Sequence, residues 1–266
     1  LNILEVMLVS FGGTAVALST AAFLSKKLLG HWFNKELEEY KAKIGHENSI
    51  ALESVKTDLQ KALKQDERSY ELEKIMSSYK GPLIHAVYDL QSRIYNIVKK
   101  NLINVYYTRG DNSQKEYVLN NTAFLIAQFF AWNEIIRKEI QFIEFDNIEN
   151  TRSLSDLKDQ VYSLWQTDSY DDDFYIWAGD QRGIGEVMID FTNGKLTSIG
   201  YAEFLKVLDR GKEPLLIKLQ EKVKGLLESD EIDNDRLIGI QHSLIDMLKF
   251  LDPECIRFPK KARSYI

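Results

Sequence analysis

The chain has 266 residues, 44% of them hydrophobic and 28% charged, with a formal net charge of -6. That acidic balance argues against a general nucleic-acid binder, which needs a basic stripe to neutralise phosphates. A single cysteine, Cys255, excludes an internal disulfide framework and fits a reducing compartment.

From Val6 to Leu24 no side chain is charged, and Lys26 and Lys27 follow at once. At about 1.5 Å per residue, a helix from Ile3 to Leu24 spans roughly 30 Å of hydrocarbon. Ser10, Thr14, Ser19 and Thr20 dilute the stretch, but a helical hydroxyl can bond to the preceding turn's carbonyls. A removable signal peptide would need a basic n-region, and only Glu5 precedes the apolar run. A buried core helix fits poorly beside the long polar helix that follows. The expected organisation is therefore a transmembrane anchor over 1–30, a helical stalk with coiled-coil character over 31–79, and a helical globular domain over 80–266. Lys26, Lys27, Lys35, Lys41 and Lys43 all follow the span, so the body is expected on the cytoplasmic side of the cell membrane.

The stalk, about Asn34 to Tyr79, lacks proline and carries Glu39 with Lys43, Glu53 with Lys56, and Glu71 with Lys74 at helical spacing. Leu37, Tyr40 and Ile44, then Leu52, Val55, Leu59, Ala62 and Leu63, form an apolar stripe. Gly45 to Ser49 and Gln65 to Ser69 interrupt it, leaving open self-association as a coiled coil or packing on the chain's own domain. In the span, Gly13 and Ala17 would let two helices approach closely. A homo-oligomer is thus one expectation.

Gly81-Pro82 is expected to end the stalk and open the body. Ile84, Val87, Ile94, Val98, Leu102 and Val105 give a core-facing stripe, and Arg109 to Ser113 reads as a turn. The segment Lys115 to Phe145 is apolar on nearly every side around Ala123 to Trp132, as a central buried helix would be. Further helices are expected at Leu154 to Leu164 with Ser153 as cap, Phe174 to Ile189, Tyr201 to Asp209, Glu213 to Leu227, and Asn234 to Leu251. Asn193-Gly194 between β-branched and aromatic residues predicts a small β-hairpin within 187–199 of an otherwise all-α fold. The basic tail, with Arg257, Lys260, Lys261 and Arg263, reads as a solvated terminus or as a contact for anionic headgroups.

The phrases YKGPLIHAVYDLQSRIYNIV, NNTAFLIAQFFAWNEIIRKEIQFIEF, GDQRGIGEVMI and QHSLIDMLKFLDPECIRFP resemble a family of uncharacterised bacterial proteins. The resemblance covers about Tyr79 to Pro259. It implies an N-terminal apolar segment joined to a helical body, and it implies no activity and no catalytic residues.

Candidate chemistry is sparse. Asp180, Gln181, Arg182 and Glu186 lie among Gly179, Gly183 and Gly185, so Arg182 could clamp a phosphate or carboxylate. The alternative is a close helix crossing over a buried arginine–carboxylate pair. The segment matches neither a P-loop nor a dinucleotide fingerprint. His242 and Asp246 share a helix face, where a carboxylate could orient an imidazole, or the histidine could be a hydrogen-bonded core residue. Asp168, Asp171, Asp172 and Asp173 lack EF-hand spacing and read as a solvated, capping loop. Asp89 with Arg93, and Glu134, Arg137 and Glu139, suit ion pairs around the core.

No metal site and no cofactor are expected, and the expected partners are the lipid bilayer, another protein and a second copy, with no nucleic acid. Two functions remain open. One is a membrane-tethered, non-catalytic interaction or sensing module; the other is a membrane-anchored enzyme or small-ligand sensor around Arg182 and His242.

Overall fold

The computed structural model describes the backbone of residues 3–140, 148–170, 173–229 and 234–266, and the side chains of 23–67, 70, 78–139, 152–170, 173–229 and 234–266. It divides into two units, Leu1–Arg68 and Ser69–Ile266. One helix, α1 (Ile3–Lys99), contributes to both.

In the first unit the described side chains from 23 to 67 are all exposed, the apolar ones included. Among the described residues no helix is long and apolar enough to cross a membrane. The side chains of 6–22, most of the expected span with its Gly13 and Ala17, lie outside those residues, as do those of Glu71 and Lys74. Glu39 pairs back to Lys35 at 3.9 Å rather than forward to Lys43. An exposed pair of this kind contributes little.

The helix does not end at Gly81-Pro82 as expected: Pro82 lies inside α1. Gly45 to Ser49 and Gln65 to Ser69, which interrupt the apolar stripe, are helical. A proline forfeits one backbone bond and crowds the preceding turn. Here packing on both sides of Pro82 outweighs that penalty: Tyr79, Leu83, Ile84, Ala86, Val87, Leu90, Ile94 and Ile97 are all buried. At Gly81 a Cβ would come to 3.0 Å from the Arg257 guanidinium, the end of an exposed side chain that can turn aside.

After α1, a π-helix (Ile103–Thr108) leads into α2 (Asn112–Ile140). The turn between them is closed by a reciprocal cap. Asp111 Oδ1 accepts the Gln114 N–H at 2.9 Å, and Gln114 Oε1 accepts the Asp111 N–H at 3.0 Å. The rest of the fold is α3 (Ile148–Gln166), α4 (Ala178–Val187), β1 (Ile189–Thr192), β2 (Lys195–Ser198), α5 (Tyr201–Arg210), α6 (Pro214–Glu228) and α7 (Asp235–Leu251). The described fold is thus helical with one two-stranded antiparallel hairpin, inside the expected 187–199.

Helix α2 is central. Its Ala123, Ala127, Phe129, Phe130, Ala131 and Ile135 are fully enclosed, and α4, α5, α6 and β2 pack around it. Helix α3 packs against α7, and α7 meets α1 through Gln241 Nε2 and Gln91 Oε1 at 3.2 Å. The turn joining β1 and β2 places Asn193 and Gly194 at φ 53° and 78°, the left-handed pair that a tight hairpin needs. Gly194→Ala is therefore expected to destabilise by about 1 kcal/mol, since a Cβ disfavours that region. A shifted urea midpoint would register it, and an unchanged one would separate the hairpin from the cooperative unit.

Two helix starts differ from expectation. Helix α3 begins at Ile148, so Ser153 is an interior residue rather than a cap. Phe174 to Trp177 precede α4 as extended chain. Phe174 and Ile176 are buried while Tyr175 and Trp177 are not, an alternation of period two, and the Ile176 N–H bonds the Trp165 carbonyl at 2.7 Å.

Candidate functional site

Helix α4 carries the glycine-flanked cluster. Of its glycines, Gly185 serves packing: a Cβ there would lie 2.7 Å from the Phe130 carbonyl oxygen and 3.1 Å from Glu134 Cβ. This is the close helix crossing. The carboxylates beside it go to other cations than Arg182. Buried Glu134 accepts Arg137 Nε at 2.8 Å and Nη2 at 2.6 Å, and Lys138 sits 3.8 Å from Glu134 and 3.3 Å from Glu186. Hydrogen bonding to Glu134 holds Arg137 above its ordinary pKa. Asp180 pairs with Lys218 of α6 at 2.6 Å. Gln181 is fully buried and donates to the Ile176 and Tyr162 carbonyls at 2.7 and 3.2 Å, tying α4 to the extended segment and to α3. Arg182 is exposed and has no hydrogen bond or ion pair among the described residues.

His242 and Asp246 sit together on α7, and both hold the tail. His242 Nε2 lies 3.3 Å from the Ile266 carbonyl oxygen, and its ring meets Tyr265 edge-on at 4.9 Å. Asp246 accepts the Tyr265 hydroxyl and pairs with Lys249. No hydrogen bond or ring contact joins this pair to Arg182 among the described residues. Asp171 and Asp172 lie outside the described residues, and Asp173 contributes its carbonyl to Lys222 at 3.1 Å.

The tail packs on the body, with Arg257, Lys260 and Lys261 exposed as expected and Arg263 not. Arg263 is buried and donates to the Asp252 carboxylate, to the Asp252 carbonyl at 2.6 Å and to the Phe258 carbonyl at 2.8 Å. Phe258 stacks flat on Tyr88 of α1, with ring centroids 3.6 Å apart. Burial pushes the Asp252 carboxyl up, but the N–H groups of Arg257, Ile256 and Phe258, with Arg263, outweigh it and hold the group below its ordinary 3.8.

One cavity in the second unit collects groups that sequence reasoning left apart. Between the end of α1, the π-helix and the first turns of α2 lies a cleft of about 440 Å³, lined by Arg93, Asn96, Leu102, Tyr106, Ser113, Gln114, Tyr117 and Val118. Arg93 is only 8% exposed. It does not pair with Asp89, the expected partner one turn back, which is exposed and makes no ion pair among the described residues. Arg93 instead donates to Asn121 Oδ1 of α2, and its guanidinium carbon sits 5.6 Å from the Tyr117 ring centroid. Burial pushes its pKa down, and the Tyr117 hydroxyl beside it partly offsets this. The sequence held a signal for this burial. Arg93 stands three residues after Leu90 and four before Ile97, on the core-facing stripe itself.

These sites stand on their geometry alone. No known family, curated protein or solved structure matches the chain.

Proposed function

We propose that the chain is a membrane-tethered, non-catalytic interaction module, with its body on the cytoplasmic side and the stripe of α1 as the surface that pairs with a second copy. The observation that carries this reading is the exposure of that stripe. Leu52, Val55, Leu59 and Leu63 are 73%, 66%, 59% and 54% exposed, at helical spacing. An unpaired apolar seam of this length is unfavourable in water, and pairing like seams removes it. Charges of both signs are interspersed beside it, from Lys35 and Glu36 to Lys64 and Asp66, so a second copy can bring opposite charges to the flanks. The charge-free run before Lys26 supports the tether, and the lysines after it support the orientation.

The alternative of an enzyme or ligand sensor around Arg182 and His242 has less to stand on. Asp180, Glu186 and Asp246 are engaged by Lys218, Lys138 and Tyr265, and Gln181 and His242 by backbone carbonyls.

Mass measurement of the full chain in mild detergent tests the pairing, and membrane fractionation tests the tether. A dimer is expected, and the double variant Val55→Glu with Leu59→Glu is expected to raise its dissociation constant at least ~100-fold. A wild-type monomer throughout would remove the pairing. Recovery of the full chain in the aqueous fraction without detergent would remove the anchor.

A further inference from the structure

We propose that the cleft around Arg93 binds a small organic oxyanion, a carboxylate or a phosphate monoester, with its charged oxygens on the Arg93 guanidinium and its apolar part against Tyr106 and Tyr117. A buried cation without a counter-ion is costly, and folded chains normally supply a carboxylate. Arg93 is 8% exposed, and no carboxylate pairs with it among the described residues. A guanidinium carries five N–H donors in a planar fork suited to two oxygens at once. The Asn121 oxygen takes one bond. Asn96, Ser113 and Gln114 add polar groups to the wall, and Leu102 and Val118 add apolar surface. A cleft of about 440 Å³ falls in the size range of small-molecule sites.

The backbone around the cleft is also unusual. A π-helix gives poorer hydrogen-bond geometry than an α-helix and occurs mostly as short pieces, frequently at functional sites. This one supplies Tyr106; Arg109 caps it with its N–H on the Asn104 carbonyl, and at Gly110, just beyond, a Cβ would come to 2.1 Å from the Tyr106 carbonyl oxygen. The backbone at Tyr106 and Gly110 thus packs too closely for a side chain at position 110.

The test uses the full chain in mild detergent with four probes: benzoate, phenyl phosphate, inorganic phosphate and the neutral benzamide. Ser113→Trp fills the mouth of the cleft from an exposed position and leaves Arg93 in place. Arg93→Gln removes the charge. Benzoate or phenyl phosphate, at ~10 times its dissociation constant, is expected to raise the wild-type melting temperature by roughly 3 °C. Benzamide is expected to leave it unchanged, and both variants to lose the shift, with Ser113→Trp melting as the wild type does without ligand. The site is overturned if no organic anion binds more tightly than ~10 mM, or if Ser113→Trp binds as the wild type does. Inorganic phosphate binding as well as phenyl phosphate would overturn the role given to the tyrosines. All the lining residues belong to the second unit, so failure of the α1 pairing leaves this test intact.

Discussion

Replacing Asp252 with alanine is expected to destabilise the second unit by about 3–5 kcal/mol, because it leaves a buried guanidinium without its counter-ion. Arg263 and Asp252 are 3% and 6% exposed at their side chains, so water cannot take over for either one. Asp252 does more than pair. Its Oδ1 accepts the Ile256 N–H at 3.0 Å and its Oδ2 the Arg257 N–H at 3.2 Å, closing the turn after α7. Alanine removes those acceptors together with the charge. Asp252→Asn keeps one acceptor oxygen and is expected to lose less, though it still strands Arg263. The pH dependence carries a definite sign. Asp252 titrates below its ordinary 3.8, so the unfolded chain takes up its proton first as pH falls. The stability it contributes is fully present above about pH 5 and is lost as pH drops through the folded value. Urea denaturation at neutral pH should therefore separate wild type from Asp252→Asn widely, and the gap should narrow toward pH 3. A gap that stayed constant over that range would mean that the carboxylate charge is not what stabilises the tail.

That tail shows where sequence reasoning stops. Patterned elements were legible. The enclosed run Ala123 to Trp132, the Asn193-Gly194 turn and the starts of α5, α6 and α7 follow from periodicity and turn chemistry, which act within a few residues. A cluster of Arg257, Lys260, Lys261 and Arg263 looks the same from the sequence whether it is solvated or folded. Only the path of the chain brings Arg263 back to Asp252, eleven residues earlier, and lays Phe258 on Tyr88. Pro82 was misleading for a related reason. Its local penalty is real, but burial at Tyr79, Leu83 and Ile84 on either side exceeds it. The site residues divide along the same line. Gln181, Asp180 and Glu186 were visible as a polar group among glycines, yet spacing says nothing of the Lys218 and Lys138 that engage two of them. Arg93 was read only as the ion-pair partner that helical spacing gives Asp89. The structure gives it Asn121 and an open cleft instead.

Two alanine substitutions on α4 are expected to move stability in opposite directions. At Gly185 a Cβ would meet the Phe130 carbonyl oxygen at 2.7 Å and the Phe130 carbonyl carbon at 3.0 Å. Both are backbone atoms of the central helix, so no side chain can turn aside. Either α4 moves outward or α2 bends, and overpacking of this kind costs about 1–3 kcal/mol. At Gly179, in the first turn of the same helix, a Cβ meets nothing within 4 Å, and alanine should stabilise by about 0.5 kcal/mol through helix propensity. The pair isolates geometry from composition, because both variants add one methyl group to one helix. An outward shift of α4 would also lengthen the Lys138–Glu186 contact, now 3.3 Å, and displace Gln181 from the Tyr162 carbonyl. Gly185→Ala is thus expected to lower the urea midpoint and to speed hydrogen exchange in α4 more than in α7. Equal midpoints for the two variants would show that the α2–α4 crossing yields without cost. In that case glycine at 185 is not required by the approach of the two helices.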